Sequence, residues 1–196
     1  AARFAIDAGT GALSFVAAPD YEAPADTGAN NIYDVVVMVS DGSFSDTQAI
    51  AVTVTPTNDN QPIIGSNGGG ATAGINVAEN NSAVTTVTAS DADLPAQTLA
   101  YSISGGADAA LFSIDSATGV LSFNSAPDFE APADVGADNV YDLTVQVADG
   151  NGGTGTQLLT VRVTNANEAP LITSNGGGVT ASVGAAENQT AVTTVT

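Results

Sequence analysis

The chain has almost no positive charge. Its 196 residues include 21 Asp or Glu but only two basic residues, Arg3 and Arg162, and the formal net charge is −19 at pH 7. Proteins bind phosphate backbones and anionic lipid surfaces mainly through Lys and Arg side chains. The composition therefore argues against nucleic acids and anionic membranes as partners.

Several residue types that carry chemistry are also missing. The chain has no Cys, no His and no Trp. This excludes disulfides and the usual zinc sites, and it removes most of the side chains used for acid–base and nucleophilic catalysis. We therefore expect a protein that is not an enzyme. No apolar run approaches the roughly 20 residues of a membrane-spanning helix, so none is predicted.

The strongest pattern that is present is an internal repeat at an offset of 108 residues. For example, Phe4-Ala5-Ile6-Asp7 recurs as Phe112-Ser113-Ile114-Asp115. A unit of this length can form a domain of its own. We predict a partial repeat at 1–62 that lacks its first strands, a complete repeat at 63–170, and the opening strands of a third at 171–196. We accordingly expect the chain to be a piece of a longer tandem array.

Apolar residues in the complete repeat alternate with a period of two, which is typical of strands. The pattern predicts an all-β fold, an antiparallel sandwich of about seven strands. The spacing of Val84 and Val87 breaks the alternation and predicts a bulge or slip. Ala107 to Leu111 is the only segment that favours a helical turn. The predicted strands are 75–79, 83–89, 98–104, 111–115, 119–124, 139–148 and 155–164.

Acidic motifs lie at strand ends or in loops of the complete repeat. They are Glu79-Asn80, Asp91-Ala92-Asp93, Asp128-Phe129-Glu130 and Asp149-Gly150, and the linker Asn58 to Pro62 adds further side-chain oxygens. A carboxylate cluster without a cationic partner needs a metal, and oxygen ligands favour a hard cation such as Ca²⁺. The alternative is structural, because Asp is common in turns and Asp-Gly is a good hairpin turn.

Taken in order, these motifs resemble the cadherin repeat. The resemblance includes the Phe-x-Ile-Asp-x-x-Thr-Gly run from Phe112 to Gly119, the Ala-Asp-Gly at 148–150, and the Asn-Asp-Asn-x-Pro linker. The Ala- and Thr-rich style is similar to bacterial tandem cadherin-like repeats of very large surface proteins. The resemblance implies tandem seven-stranded Greek-key β-sandwiches and calcium ions at each repeat junction.

Carried onto this sequence, the resemblance implies two sets of metal ligands. The set for the first junction is Asp20, Glu22, Asn58, Asp59, Asn60, Asp91, Asp93 and Asp149. The set for the second junction is Glu79, Asp128, Glu130, Asn165, Asn167 and Glu168.

The resemblance also implies a function and a location. We expect a calcium-dependent structural or adhesive segment of an extracellular surface protein, in which Ca²⁺ stiffens a rod or fibre. Its partners would be neighbouring repeats, with homotypic assembly or a surface or glycan receptor as further partners. One alternative is a self-assembling filament or sheath subunit whose partial repeats are completed by neighbouring chains. Another is a carbohydrate-binding module, for which the available exposed aromatics are Tyr21, Phe44 and Phe129.

Overall fold

The computed structural model of the protein describes residues 3–196. The chain divides into two compact units, Ala1–Thr164 and Asn165–Thr196, and each is described by itself. The first unit contains both the partial first repeat and the strands of the complete repeat. Its elements are almost all β-strands, as the alternating sequence pattern predicts.

The partial first repeat forms two antiparallel strand pairs. A short pair joins β1 (Phe4–Ile6) to β2 (Leu13–Phe15). A long hairpin joins β3 (Ile32–Ser40) to β4 (Ser45–Thr53), with Ile32 opposite Thr53 and Ser40 opposite Ser45. Neither pair is extended by a further strand, so both remain two-stranded sheets among the described residues.

The complete repeat begins with several short strands. They are β5 (Ile63–Ile64), β6 (Thr72–Ala78), β7 (Ala83–Thr86), β8 (Ala89–Ser90) and β9 (Ala100–Gly105). A short 3₁₀ turn, Ala109–Leu111, follows and confirms the predicted helical turn. The remaining strands are β10 (Phe112–Ile114), β11 (Val120–Phe123), β12 (Val140–Ala148) and β13 (Thr154–Thr164).

These strands form a four-stranded sheet in the order β6-β13-β12-β9 and a three-stranded sheet in the order β10-β11-β7. The hairpin β12–β13 is antiparallel, whereas β6 runs parallel to β13, from Thr72 opposite Leu158 to Ala78 opposite Thr164. The short strands β5 and β8 pair with each other. If β5 and β6 are counted as one interrupted strand, and β7 and β8 as another, the complete repeat has seven strands, as predicted.

The core lies between the sheets and follows the predicted alternation. Side chains on opposite faces of a strand alternate along it, so every second residue of β12 and β13 points inward. The fully or almost fully buried members are Tyr141, Leu143, Val145, Val147, Leu159, Val161 and Val163. Burial of each such aliphatic side chain contributes about 1.5–3 kcal/mol.

The predicted irregularity at Val84 is confirmed, and it accompanies a break in the predicted strand 83–89. Leu121 lies opposite Thr85 and Ser122 opposite Ala83, so Val84 is the extra residue of a bulge. The chain then leaves β11, and β8 pairs with β5 instead. The segment thus divides into two strands because its two ends pair with different neighbours.

The second unit contains a 3₁₀ turn at Ser174–Gly176 and, within the described residues 165–196, no strand. That 171–196 hold the opening strands of a third repeat stays a prediction. The boundaries of the three repeats remain predictions. None of the described helical segments has the length and hydrophobicity needed to cross a membrane.

Candidate metal centre

The linker between the first two repeats packs against the end of the four-stranded sheet. Pro62 is fully buried, and its carbonyl oxygen would overlap a Cβ atom placed on Gly155. Because Gly155 has no Cβ, the linker can approach the first residues of β13 closely. The linker residues Asn58 to Asn60 are thereby held beside the loops that follow β8 and β12.

Those two loops bring three aspartates of the complete repeat together. Asp91 and Asp93 follow β8, and Asp149 follows β12. One carboxylate oxygen from each residue lies within 4.8 Å of the other two. Asp93 is 2% exposed and Asp149 is 3% exposed, so the group is held at a largely buried position.

The hydrogen bonds of Asp93 occupy only one of its oxygens. The Oδ1 atom accepts bonds from the Asn60 backbone N–H at 3.1 Å and from the Asn60 side-chain amide at 2.9 Å. The Oδ2 atom is buried and has no hydrogen-bond partner among the described residues, and the same is true of Asp91 Oδ2. Buried polar atoms are almost always paired, so two unpaired carboxylate oxygens on residues of one acidic group indicate a place for a cation.

A second acidic group shares Asp93 and reaches into the first repeat. Oxygens of Glu22, Asp59 and Asp93 also lie within 4.8 Å of one another. Glu22 Oε1 accepts the backbone N–H of Leu94 at 3.1 Å, which joins the two repeats directly. Asp20 Oδ1 accepts the Glu22 N–H at 2.9 Å and so fixes the turn that presents Glu22.

Asn58 connects the linker to Asp149 through its side-chain amide. Asn58 Nδ2 donates to Asp149 Oδ2 at 3.1 Å, while Gln97 Nε2 donates to Asn58 Oδ1 at 2.5 Å. Gln97 Oε1 is itself buried and has no partner among the described residues. Gln97 was not predicted from the sequence, because a lone Gln outside the acidic motifs carries no recognisable signal.

The environment of Asp59 disfavours its negative charge. Desolvation raises the pKa of Asp59, although the residue is exposed, and the negative charges of Glu22 and Asp93 raise this pKa further. Asp20 acts in the same direction. Asp59 is thus a carboxylate whose ionisation is opposed by its own neighbours.

Asp93 and Asp149 are shifted in the opposite direction by hydrogen bonds. The Asn60 side chain lowers the pKa of Asp93 and outweighs the effect of its burial. Burial acts to raise the pKa of Asp149, but bonds from the Asn151 N–H and the Asn58 side chain lower it overall. Both residues are therefore held as anions at neutral pH.

The donor set fits a hard divalent cation. The clustered atoms are carboxylate oxygens, which are among the ligands that Ca²⁺ takes in proteins. The hydrogen-bond donors described for Asp93 and Asp149 are backbone amides and the neutral side chains of Asn58 and Asn60. No positive side chain is among these donors, so the charge of the cluster is not neutralised by them.

The residues predicted for the second junction are divided between the two units. In the first unit, Glu79 is 4% exposed and its Oε2 accepts the Phe129 N–H at 2.8 Å. Asp128 Oδ1 accepts the Glu130 N–H at 3.0 Å, as Asp20 does for Glu22. Asn165, Asn167 and Glu168 belong to the second unit. This second ligand set remains a prediction.

Comparison with protein families gives one match. Residues 74–164 match the model of the cadherin domain. Comparison with curated proteins gives no match. The matched segment begins within β6 and ends with β13, so it covers most of the sandwich described above.

Solved structures confirm the fold as a cadherin-like β-sandwich. Mouse cadherin-23 EC22-24 has a TM-score of 0.60 at 23% identity and aligns over 84% of this chain and 50% of its own. Human protocadherin-24 EC1-2 has a TM-score of 0.63 at 23% identity, over 84% of this chain and 78% of its own. A protocadherin gammaB7 EC3-6 cis-dimer structure has a TM-score of 0.56 at 24% identity, over 78% of this chain and 35% of its own. The chain thus spans half the length of the mouse structure.

Proposed function

We propose, from the premise that residues 74–164 form a cadherin domain, that this chain is a calcium-dependent structural or adhesive repeat segment. Calcium bound at the first linker would be held by Glu22, Asp59, Asp91, Asp93 and Asp149, with Asp20, Asn58 and Asn60 beside them. A bound calcium ion supplies the positive charge that the cluster's own hydrogen-bond donors lack. Its role would be to fix the linker between the repeats.

The observation that carries this proposal is the pair of unpaired buried oxygens on Asp91 and Asp93. Asp93 belongs to both acidic groups, and these groups contain residues of the first repeat, the linker and the complete repeat. A ligand at Asp93 therefore touches all three segments. Without such a ligand, like charges at this position favour separation of the repeats.

The contacts also indicate how the chain's own residues set up the junction. Asn60 donates its backbone and side-chain N–H groups to one oxygen of Asp93 and leaves the other oxygen available. The Leu94 N–H orients Glu22 from the first repeat towards the same place. These residues position oxygens before any cation binds, which lowers the entropic cost of binding.

An extracellular location and homotypic partners are part of the same proposal. Calcium concentrations outside cells support the weaker class of protein sites, with Kd values of about 10⁻⁴–10⁻³ M. The related solved structures include a cis-dimer of a protocadherin. The carbohydrate-binding alternative has less support, because Phe129 packs against the core and Tyr21 is only partly exposed, so Phe44 is the one fully exposed aromatic of the three.

Small-angle scattering of the full chain tests the stiffening role. Data would be collected in 2 mM calcium and in excess chelator, with magnesium as the ion control. We expect a narrower distribution of interatomic distances and less flexible scattering in calcium alone. Identical profiles in calcium and chelator would overturn the proposal that calcium fixes the linker.

A further inference from the structure

Two neutral amide side chains lie in series beside Asp149. Asn58 Nδ2 donates to Asp149 Oδ2 at 3.1 Å, and Gln97 Nε2 donates to Asn58 Oδ1 at 2.5 Å. Asp149 is 3% exposed, and all three residues line a cavity of about 700 Å³. The series therefore connects a buried carboxylate of the acidic group to an open space at the surface.

The Asn58 amide has its nitrogen, not its oxygen, towards the carboxylate. Its Oδ1 atom is occupied by Gln97, and its N–H group helps to lower the pKa of Asp149. Calcium is bound by oxygen atoms and is repelled by N–H groups. In this orientation Asn58 stabilises the negative charge of Asp149 in place of a cation, although its residue type predicts a ligand.

A side-chain amide can be reversed with little change in shape. Its nitrogen carries two donors and its oxygen is an acceptor, and the terminal torsion that exchanges them has a broad, roughly two-fold preference. A half-turn about the Cβ–Cγ bond of Asn58 would therefore present Oδ1 to the acidic group. The cost of this turn depends on what Gln97 can then offer to Asn58.

Gln97 is able to turn with Asn58. After the turn of Asn58 alone, Nδ2 would face Gln97 Nε2, and two donors would oppose each other. Gln97 Oε1 is buried and has no hydrogen-bond partner among residues 3–196, so no bond at that atom holds the Gln97 amide in its present orientation. If both amides turn, the bond that Gln97 donates to Asn58 is replaced by one that it accepts.

An amide at position 97 is well suited to this exchange. A side chain that only donates, or one that only accepts, would pair with Asn58 in one orientation and oppose it in the other. Gln97 keeps one hydrogen bond to Asn58 in both. The bond from Asn58 to Asp149 is then the one interaction of this series that is lost on reversal.

We propose that Gln97 is a positioning residue of the calcium site, and that the Asn58 and Gln97 amides reverse together when the site is filled. Without the ion, Asn58 donates to Asp149. With the ion, Asn58 presents Oδ1 to it and donates Nδ2 to Gln97 Oε1. The inference rests on the proposed function, since it needs calcium at the linker, and it adds a residue that the ligand set does not contain.

The reversal has a consequence for calcium affinity. The Asn58 N–H group competes with the ion for Asp149, so calcium binds less tightly than it would to an Asn58 that already has its oxygen towards the acidic group. Hydrogen bonds to charged groups are among the stronger ones in proteins. Gln97 thus helps to set the calcium concentration at which the linker becomes fixed.

Nuclear magnetic resonance of the isotope-labelled full chain tests the reversal directly. A hydrogen bond transmits a scalar coupling from the donor nitrogen to the acceptor carbonyl carbon. In chelator we expect this coupling from Gln97 Nε2 to Asn58 Cγ, and in saturating calcium from Asn58 Nδ2 to Gln97 Cδ. The control is Asn124, whose Nδ2 donates to the Ala110 carbonyl at 2.9 Å and should do so in both conditions.

Calorimetric titration of the Gln97→Glu variant tests the role of Gln97 in affinity. A carboxylate only accepts, so it favours the orientation of Asn58 that has Oδ1 towards the ion. We expect the calcium Kd to fall at least about ten-fold, which corresponds to one hydrogen bond to a charged group. The control is Thr98→Glu at an exposed position that lines the same cavity, and its added charge should lower the Kd no more than about three-fold.

The outcomes separate this inference from the proposed function. If the chain binds calcium but the coupling from Gln97 Nε2 to Asn58 Cγ persists at saturation, the reversal is overturned and the calcium site stands. Equal tightening by Gln97→Glu and Thr98→Glu would overturn the role of Gln97. Absence of calcium binding in the unsubstituted chain would overturn the proposed function and this inference together.

Discussion

At the scale of single residues, Asp93 is the side chain that the two acidic groups at the first linker share. It is almost fully buried, it accepts hydrogen bonds from Asn60, and it contributes to both acidic groups. Its Oδ2 atom nevertheless has no partner among the described residues. An aspartate with only a structural role would be expected to have hydrogen-bond partners for both carboxylate oxygens when it is buried this deeply.

Replacement of Asp93 separates its structural role from metal binding. Asp93→Asn keeps the size of the side chain and an oxygen that can accept the Asn60 bonds, but it removes the charge. We expect the calcium-induced rise in Tm to be largely lost, while stability in chelator changes little because repulsion from Glu22 and Asp59 is relieved. Differential scanning calorimetry in calcium and in chelator measures both effects.

Asp34→Asn is the control for that experiment. Asp34 is an exposed residue of β3 and loses the same charge on substitution. Its calcium-induced shift in Tm should match that of the unsubstituted chain. An unchanged shift in Asp93→Asn would contradict the role given to Asp93.

Asp134 should contribute to the acid sensitivity of the complete repeat. Burial acts to raise its pKa, but the N–H groups of Asp138 and Asn139 lower it below the ordinary value of 3.8. The ionised form of Asp134 is thus more stable in the folded state than in the unfolded chain. The resulting stabilisation is complete above the ordinary pKa and is lost as the pH falls through the lowered pKa.

The Asp134→Asn variant tests this sign. We expect a loss of about 1–3 kcal/mol of unfolding free energy near pH 7, typical of hydrogen bonds to a charged group. The difference from the unsubstituted chain should shrink as the pH falls below 4. Urea unfolding in chelator, repeated from pH 7 to pH 3, measures the unfolding free energy of both chains. If the difference between the two chains grew on acidification, the prediction would be refuted.

At the scale of elements, the long hairpin of the complete repeat could be predicted closely from the sequence. Alternation along β12 and β13 specifies both their extent and their buried face, because two sheets enclose the inward residues. The strand β6 begins earlier than the predicted 75, since parallel pairing with β13 extends through Thr72 and Ala73. The two-residue strand β5 is too short to leave a periodic signal.

Residues 171–196 illustrate what a local pattern cannot specify. Residues 191–194 repeat the sequence of β7, and 180–186 share three of seven residues with β6, yet strand formation depends on backbone pairing that the pattern does not provide. In the site, the structure brings residues of the Asp-x-Asp and linker motifs close together, and their role as metal ligands stays a prediction. Gln97 could not be predicted, because its contact with Asn58 arises only from the folding of the loop after β8.

Gly155 in β13 offers a test of how the linker is seated. A methyl group there would overlap the carbonyl oxygen of Pro62, so the Gly155→Ala variant must displace the linker. We expect a loss of about 1–3 kcal/mol, typical of overpacking, together with weaker calcium binding. Chemical unfolding and a calcium titration followed by Tm measure the two effects.

Gly74→Ala is the matched control within β6. A methyl group at Gly74 would meet no atom within 4 Å, so this variant should be neutral or slightly stabilising. If Gly155→Ala behaved like Gly74→Ala, the close approach of the linker would not be important for the junction.

At the scale of the whole molecule, composition and fold are consistent with each other. An acidic chain without lysine folds as a sandwich whose linker and loop carboxylates gather at one end of the complete repeat. Ligands that bind only the folded state stabilise it in proportion to the logarithm of their concentration. If calcium binds at this linker, the stability of the chain should rise with the logarithm of the calcium concentration.

Calorimetric titration of the full chain with calcium, beside the Asp93→Asn variant, is the most direct measurement. We predict saturable binding with a Kd between about 10⁻⁷ and 10⁻³ M, much weaker binding of magnesium, and the loss of at least one calcium ion per chain in the variant. Absence of binding at millimolar calcium, or the same stoichiometry and affinity in Asp93→Asn, would contradict a calcium centre at this linker.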